Sequence, residues 1–508
     1  MAITSLKELK AQEFDYWKAQ HLLNRAGFGG TPSQVRALAN MGLAGAVDYI
    51  VDYEKVDAAP VKSDEFDKDI MRPANAEERM EVQQARRSGD EAKLQEFQKE
   101  RQRRQAEDRR QIAEMQKWWL KRIIETPRPL EEKLTLFWHG HFATGYRAIE
   151  DSYHMFTQNA FLRSNANGSF ADLVYGIIRD PAMLKFLNND QNRKEHPNEN
   201  LARELMELFT LGEGHVYTED DIKQGARALT GYTFEDDQFV FRPEMHDNGE
   251  KRIFGQTGKW DGVDFCKLIL SQTAVSEFIC WKLYRYFVND LPGKPEKPTQ
   301  GFILNLAKNF RDGNYAIKPV LKTLFKSEHF YDESNTAALI KNPVQIIVQA
   351  IRSLRTPARS LAALVSAADL MGQSIFYPPS VKGWDGGRAW INTSTLFVRQ
   401  NLMIYLLTGR RPDAYEWQAD GSQFNASHLI DHLSNPLSGT ENGEEADSQP
   451  SVRDVMTYLL RFNLGTEPHA SRIDTLVDFV NAHGGKLDND MIIAVLALIA
   501  AMPEYQLC

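Results

Sequence analysis

Between Ala76 and Ile112, 19 of 37 residues are charged, ten basic and nine acidic, and the large apolar residues shrink to Met80, Val82, Leu94, Phe97 and Ile112. A stretch this polar has too little to bury for a sheet. It fits one long solvated helix, or a helical hairpin broken near Ser88-Gly89, in which opposite charges three and four residues apart support each other. The arginines of 101–110 are interleaved with Glu107 and Asp108 and preceded by Glu100, and the whole chain carries a net charge of −9. No nucleic-acid partner is expected from that balance.

Helix signals dominate elsewhere. Thr31-Pro32 is a cap followed by proline at the first helical position, and Gly42 closes the segment. Pro129, Glu131 and Glu132 open a helix whose apolar positions Leu130, Leu134, Phe137 and Trp138 follow a 3.6-residue period. A further helix is predicted from Pro197 to Gly212, and another from Thr218 and Asp221, a capping box, to Gly231. The pattern then changes: "QFVFRPEMHDNGEKRIFG" reads as two short strands around an Asn-Gly turn, a β-hairpin insertion at 235–256. Helices resume around 262–290, 300–327 and 340–372. Residues 377–395, "YPPSVKGWDGGRAWINTST", form an aromatic, glycine-rich ordered loop, and 436–450 is the linker candidate.

The expected fold is therefore mainly α: a large multi-helical body over 1–410, with a long charged helix or hairpin at 76–125 and the β-hairpin insertion, then a helical region over 411–508. At 508 residues the chain has room for this. Its longest apolar run, Met491–Met502, is twelve residues. A bilayer needs about twenty, so this run is a core helix and no transmembrane segment is expected. The charged N-terminus has no apolar signal-peptide core, which points to a soluble, cytoplasmic chain. Cys266, Cys280 and Cys508 form no Cys-x-x-Cys pair, which excludes a disulfide framework, a zinc finger and a c-type haem site. Nucleophile-elbow, Walker and dinucleotide-binding motifs are also absent.

Three groups of residues carry candidate chemistry. In "TLFWHGHFATG", His139 and His141 stand two apart among Leu136, Phe137, Trp138 and Phe142. On a strand the two rings would point the same way and chelate together; on a helix they lie about 200° apart and do not. The periodicity favours a helix, so two core imidazoles compete with a metal pair. On "HPNENLARELMELFTLG", Leu201, Leu205 and Leu208 form the apolar stripe, while Asn200, Arg203, Glu204 and Glu207 share another face. Two carboxylates one turn apart suit metal ligation or acid–base work. Equally, Glu199–Arg203 and Arg203–Glu207 are well-spaced surface ion pairs. The third group is His246-Asp247 at the hairpin tip, where Asx-turn chemistry competes with ligation. Six of the twelve histidines, at 139, 141, 154, 196, 215 and 246, fall within 108 residues. Imidazole with carboxylate is a ligand set for Zn, Fe, Ni or Mn.

Blocks along the chain resemble a known family. "HLLNRAGFGGTPSQV" (21–35), "RPLEEKLTLFWHGHFAT" (128–144), "DPAMLKFLNN" (180–189), "PNENLARELMELFTLGEGHVYTEDDIKQGARALTGYTF" (197–234), "HDNGEKRIFGQTG" (246–258), "PPSVKGWDGGRAWINT" (378–393) and "MPEYQL" (502–507) are similar, in order, to the bacterial "domain of unknown function 1800" family. That resemblance implies no established activity, but it places polar residues inside the signature blocks. It also implies export and neighbouring proteins of "domain of unknown function 1501", which look like sulfatases or phosphatases. Without a signal, this chain is expected to stay inside the cell or to travel with such a partner.

The expectation that follows is a metal-dependent, hydrolase-like enzyme acting on a glycan or another anionic small molecule. His139, His141 and His246 would ligate a divalent metal. Glu204, Glu207 and Asp247 would serve acid–base chemistry, and Arg203 would steady an anion. Asn200, Trp138, Trp384 and Arg388 would contact substrate. The alternative is a non-catalytic accessory or scaffold protein that docks a sulfatase- or phosphatase-like enzyme.

Overall fold

A computed structural model describes residues 5–58, 66–214, 216–291, 295–433 and 450–508; His215 and all of the linker at 436–450 except Pro450 lie outside them. The chain is 63 % helical, with two two-stranded sheets among the described residues, so the mainly α expectation holds. No described helix is long and apolar enough to cross a membrane.

The charged segment folds as a hairpin. Ala76–Ser88 is capped by Asn75 in a capping box and stopped by Gly89 at φ +69°, and Asp90 caps the long helix Glu91–Glu125. The outer half of that helix is solvated. Its inner half buries Asp108, Ile112, Met115, Gln116, Trp119, Leu120 and Ile123, a stripe recurring every three or four residues. That stripe meets the helices Pro129–His141, Ser152–Ser164, Pro343–Leu354 and Leu361–Leu370.

Pro129–His141 is buried on almost every side; of its residues only Gly140 is partly exposed. Three consecutive charged residues, Glu131, Glu132 and Lys133, are buried with it. Each therefore needs partners inside the protein. Glu132 accepts from the Trp119 indole at 2.9 Å and from Arg163 at 2.8 and 3.0 Å, and it also pairs with Arg122. Through this carboxylate the helices Glu91–Glu125, Pro129–His141 and Ser152–Ser164 are tied together.

Strand pairing differs from the expectation. Tyr232–Glu235 pairs with Gln238–Phe241, and Lys251–Ile253 pairs with Gln256–Gly258. The turns are made where the backbone is left-handed, at Asp236 (φ 54°) in the first hairpin and at Phe254 and Gly255 (φ 49° and 77°) in the second. Asn248-Gly249 turns no hairpin, because Asp247 takes the Gly249 N–H at 2.8 Å and makes a local Asx turn.

The helix expected from Pro197 begins at Asn200 and runs as α-helix only to Glu204; Leu205–Thr210 widens into a π-helix. The later helices return to the N-terminal part. Tyr16 and Tyr458 share a hydroxyl contact of 2.9 Å, and Gln20 donates to the Phe462 carbonyl at 2.7 Å. Leu339 and Cys508 exchange backbone hydrogen bonds, which seats the segment around Cys508 beside 339–341.

Candidate functional site

On Pro129–His141, the residues Lys133, Leu136, Phe137, Gly140 and His141 recur at the 3–4 spacing of one helical face. Lys282, Arg285 and Tyr286 do the same on Thr273–Phe287. These faces, the segment 339–342 and the loop 382–390 enclose a pocket of about 200 Å³, with Trp384 and Trp390 from the loop in its wall.

Two glycines seat the loop. Gly383 (φ +75°) lies so close to Gly140 that a Cβ would collide with the Gly140 carbonyl oxygen, and a Cβ on Gly387 (φ +51°) would collide with the Asp290 carboxylate. Trp384 is thereby laid over Gly140 and 5.7 Å from the His139 ring. Gly383→Ala should destabilise the fold by about 1–3 kcal/mol, the scale of a non-glycine residue forced into that backbone region. Thermal unfolding checks this, and an unchanged midpoint would contradict the close seating.

The pocket is unusually cationic for its burial. Lys133 is 5 % exposed and donates to the Gly27 carbonyl at 2.8 Å and to the Gln345 side chain. Lys341 is 2 % exposed and donates to the Tyr505 carbonyl at 2.8 Å, with its ammonium 4.1 Å from the Tyr505 ring centre. Lys282 is half-buried, lies over Phe278 at 5.0 Å and takes no protein hydrogen-bond acceptor among the described residues. Burial pushes Lys133 down to about 7, and Lys341 and Lys282 down to about 8; the neighbouring Arg285 adds to the effect on Lys282. Five cationic side chains, Lys133, Lys282, Arg285, Lys341 and Lys382, line the pocket against Asp290, Asp385 and Cys508, whose negative charge bears on Lys133 and Lys341. Asp290 is taken by Arg285 at 2.7 Å, and the exposed Lys382 pairs outward with Glu213 at 2.6 Å.

His141 closes one side. Its Nε2 lies 2.9 Å from the Phe209 carbonyl, which only accepts, so Nε2 carries the proton and Nδ1 is a bare acceptor. That carbonyl stands at the end of the π-helix, where carbonyls lack a helical partner. Burial and then the Lys282 charge hold His141 neutral. Its Nδ1 is buried without a partner, as is the Trp384 indole N–H. Both residues line the pocket, and such unpaired buried atoms are uncommon enough to mark the place.

The other residues singled out in the sequence land as follows. His139, 1 % exposed, accepts the Phe376 backbone N–H at 3.1 Å and packs on Trp119; burial lowers it to about 3. The two histidines thus face different neighbours, as the helical reading requires. Trp138 is fully buried and donates to the Ala166 carbonyl at 2.8 Å, a core contact. His246 holds the Thr230 carbonyl at 2.8 Å, and Asp247 accepts from Arg227 at 2.6 and 3.2 Å. That pairing keeps the Asp247 carboxyl below its usual range. Neither residue lines the pocket.

Arg203 reaches Glu199, Glu207 and Glu219 at 3.0, 3.4 and 2.8 Å in a solvated network. Glu204 is half-buried, and burial followed by the Glu207 charge raises its carboxyl. Asn200 and Arg388 are exposed. The acidic helix adjoins the pocket rim through the Lys382–Glu213 pair. Among the described residues no group of three His, Cys, Asp or Glu side chains is arranged to hold a metal ion. Of the expected site residues, the cavity gathers His141 and Trp384.

Lys133, Lys282, Arg285, Lys341 and Tyr286 were missed in the sequence. The available signal was lysine set into apolar helical faces: Lys133 falls on the side of Phe137, and Lys282 is embedded in "FICWKLYRYF". Lysine is almost never fully buried without a reason.

Compared with known proteins, residues 21–507 match the family described as "Protein of unknown function (DUF1800)". The chain belongs to that family. No curated protein and no solved structure matches it.

Proposed function

We propose that this family member binds a small anionic molecule, one bearing carboxylate, sulfate or phosphate, in the pocket between Pro129–His141, Thr273–Phe287 and the tryptophan loop. The observation that carries this reading is an excess of positive charge over negative on the pocket lining. Lys133 and Lys341 are drawn out of water and Lys282 partly so; their direct contacts are carbonyls, an amide or a ring, and the negative charge at Cys508 offsets only part of the burial of Lys133 and Lys341. Burying a cation without enough counter-charge is costly, and an anionic ligand supplies the remainder. Trp384, Trp390, Tyr286 and Phe137 give the aromatic wall that suits a compact ring or a planar acid. An anionic substrate is what the hydrolase expected from the sequence would need. His141 Nδ1 would accept a hydrogen bond from a ligand hydroxyl, and the Trp384 indole would donate one. Among the described residues no ligand set for a metal is assembled.

Calorimetric titration of the protein with sulfate, citrate and glucuronate at low ionic strength tests this. One saturable site that weakens with added salt is expected, with at least a tenfold loss in Lys282→Glu, since a hydrogen bond to a charged group is worth roughly 1.5–3 kcal/mol. Absence of saturable binding, or an unaltered Lys282→Glu protein that keeps its helical circular dichroism, overturns the reading. Arg203→Ala marks the contrast. Its ion pairs are solvated, so stability should change by about 1 kcal/mol or less and anion binding not at all. A tenfold loss in this variant would move the anion site to the acidic helix.

A further inference from the structure

Among the pocket lysines, Lys133 and Lys341 are buried and Lys282 is half-buried, and they differ in a second respect. Lys133 is fixed between the Gly27 carbonyl and Gln345, and Lys341 is fixed on the Tyr505 carbonyl. Lys282 has neither, although it lines the same cavity. Its amine rests over the Phe278 ring, and Arg285, one turn on, adds a second positive charge beside it. An amine held among aromatic and cationic neighbours, with no acceptor to fix it, is set up as a nucleophile rather than as a structural cation. The anion-binding groups around it would hold a charged substrate while leaving its carbonyl carbon open to that nitrogen. His141 Nδ1 and the Trp384 indole, both unpartnered, remain to accept from and donate to the same ligand.

We propose that Lys282 forms an imine with the carbonyl of a small anionic oxo compound, a 2-oxo acid or an aldehyde bearing an acid group. This rests on the anionic reading of the pocket and gives it a substrate class. In the step, the lysine nitrogen lone pair attacks the carbonyl carbon and forms the C–N bond as the C=O π bond opens to a carbinolamine. The second bond then closes as the oxygen leaves, carrying away as water the two hydrogens that began on the amine. No oxidant, reductant or further reagent enters. Burial supports the step: an amine drawn down to about 8 is partly neutral near neutrality, whereas an ordinary lysine is almost wholly protonated.

The test uses the full protein with glyoxylate or pyruvate and cyanoborohydride, which reduces an imine to a stable secondary amine. Intact mass and peptide mapping then locate the adduct. The expected result is one adduct per chain at Lys282, formed at least tenfold faster than at exposed lysines such as Lys382, and slowed by excess sulfate. Lys282→Arg, which keeps the charge but is not nucleophilic, should lose that adduct, and sulfate binding is read by calorimetry on the unsubstituted protein. Adducts spread over surface lysines, with Lys282 unmodified, overturn the imine. If sulfate binding is intact in that protein, the anionic pocket stands without it. If sulfate binding is also absent, both fall.

Discussion

Raising the pH from about 6.5 to about 9 is expected to weaken sulfate binding by at least roughly tenfold, while the unliganded protein becomes more resistant to unfolding. Sulfate keeps its charge across this range, so the change must come from the protein. The pocket lysines titrate at about 7 for Lys133 and about 8 for Lys341 and Lys282. Below those values the ammonium groups are present and attract the anion; above them they are lost. Each lysine proton that the bound anion requires weakens binding about tenfold per pH unit once its pKa is passed. Binding near pH 8 should therefore take up protons, measurable as a binding heat that changes with the ionisation enthalpy of the buffer.

Stability runs the other way. In the folded chain these amines lie below the usual lysine value, so above about pH 7 the unfolded chain holds more protons. Folding stability from these groups therefore rises with pH until the unfolded lysines also titrate, near pH 10.4. Comparison with Lys282→Met isolates the contribution. The variant should be the more stable protein near pH 7, and the gap should close by about pH 10. A pH-independent affinity, or a gap that widens with pH, would show that these amines are not desolvated.

The helices were legible because their signals are local. The cap at Thr31, the capping box at Thr218 and the break at Gly89 are where the sequence places them. Strand pairing was not, because Asn248-Gly249 carries a strong turn signal while Asp247 beside it competes for the same backbone. The turns actually used, at Asp236 and at Phe254-Gly255, depend on what the surrounding helices allow. The π-helix at Leu205–Thr210 has no sequence signature of this kind either. It leaves the Phe209 carbonyl free for His141, a contact between residues 68 apart in the chain.

The candidate site was half legible for the same reason. His141 and Trp384 stood out as chemistry-bearing residues in glycine-rich or aromatic runs. The lysines did not, since a lysine's meaning depends on whether its ammonium reaches water, and periodicity alone does not report that. Likewise a metal held by His139, His141 and His246 was an expectation about tertiary distance, which spacing does not report. The paired histidines and the tryptophan loop do meet, through Gly140 and Gly383. His246 and Asp247 are instead satisfied by Thr230 and Arg227, whose helix they fasten to the second hairpin.

Glu132→Ala is expected to be the most damaging single change, costing about 3–5 kcal/mol, on the scale of breaking a buried ion pair by removing one partner. Its carboxylate is inaccessible to solvent and serves Trp119, Arg122 and Arg163 at once. Burial alone would push its pKa up, but Arg163 and Arg122 outweigh that and hold the group below the usual carboxylate range. Alanine would leave two guanidinium groups and an indole N–H facing a void. The carboxylate's contribution is fully present above the unfolded pKa, near 4.3, and is lost as pH falls through the lower folded value. Glu132→Gln keeps the shape and one acceptor, so it should lose less than Glu132→Ala while removing most of the acid sensitivity. Chemical denaturation at neutral and acid pH measures both.

The pocket gives this residue a second consequence. Glu132 precedes Lys133 on the helix that also carries Phe137, Gly140 and His141, so it fixes the azimuth of the whole lining face. In Glu132→Gln, which should still fold, sulfate affinity should drop severalfold although the side chain touches no ligand. Unchanged affinity in that protein would mean that the surrounding hydrophobic packing alone sets the orientation of Pro129–His141.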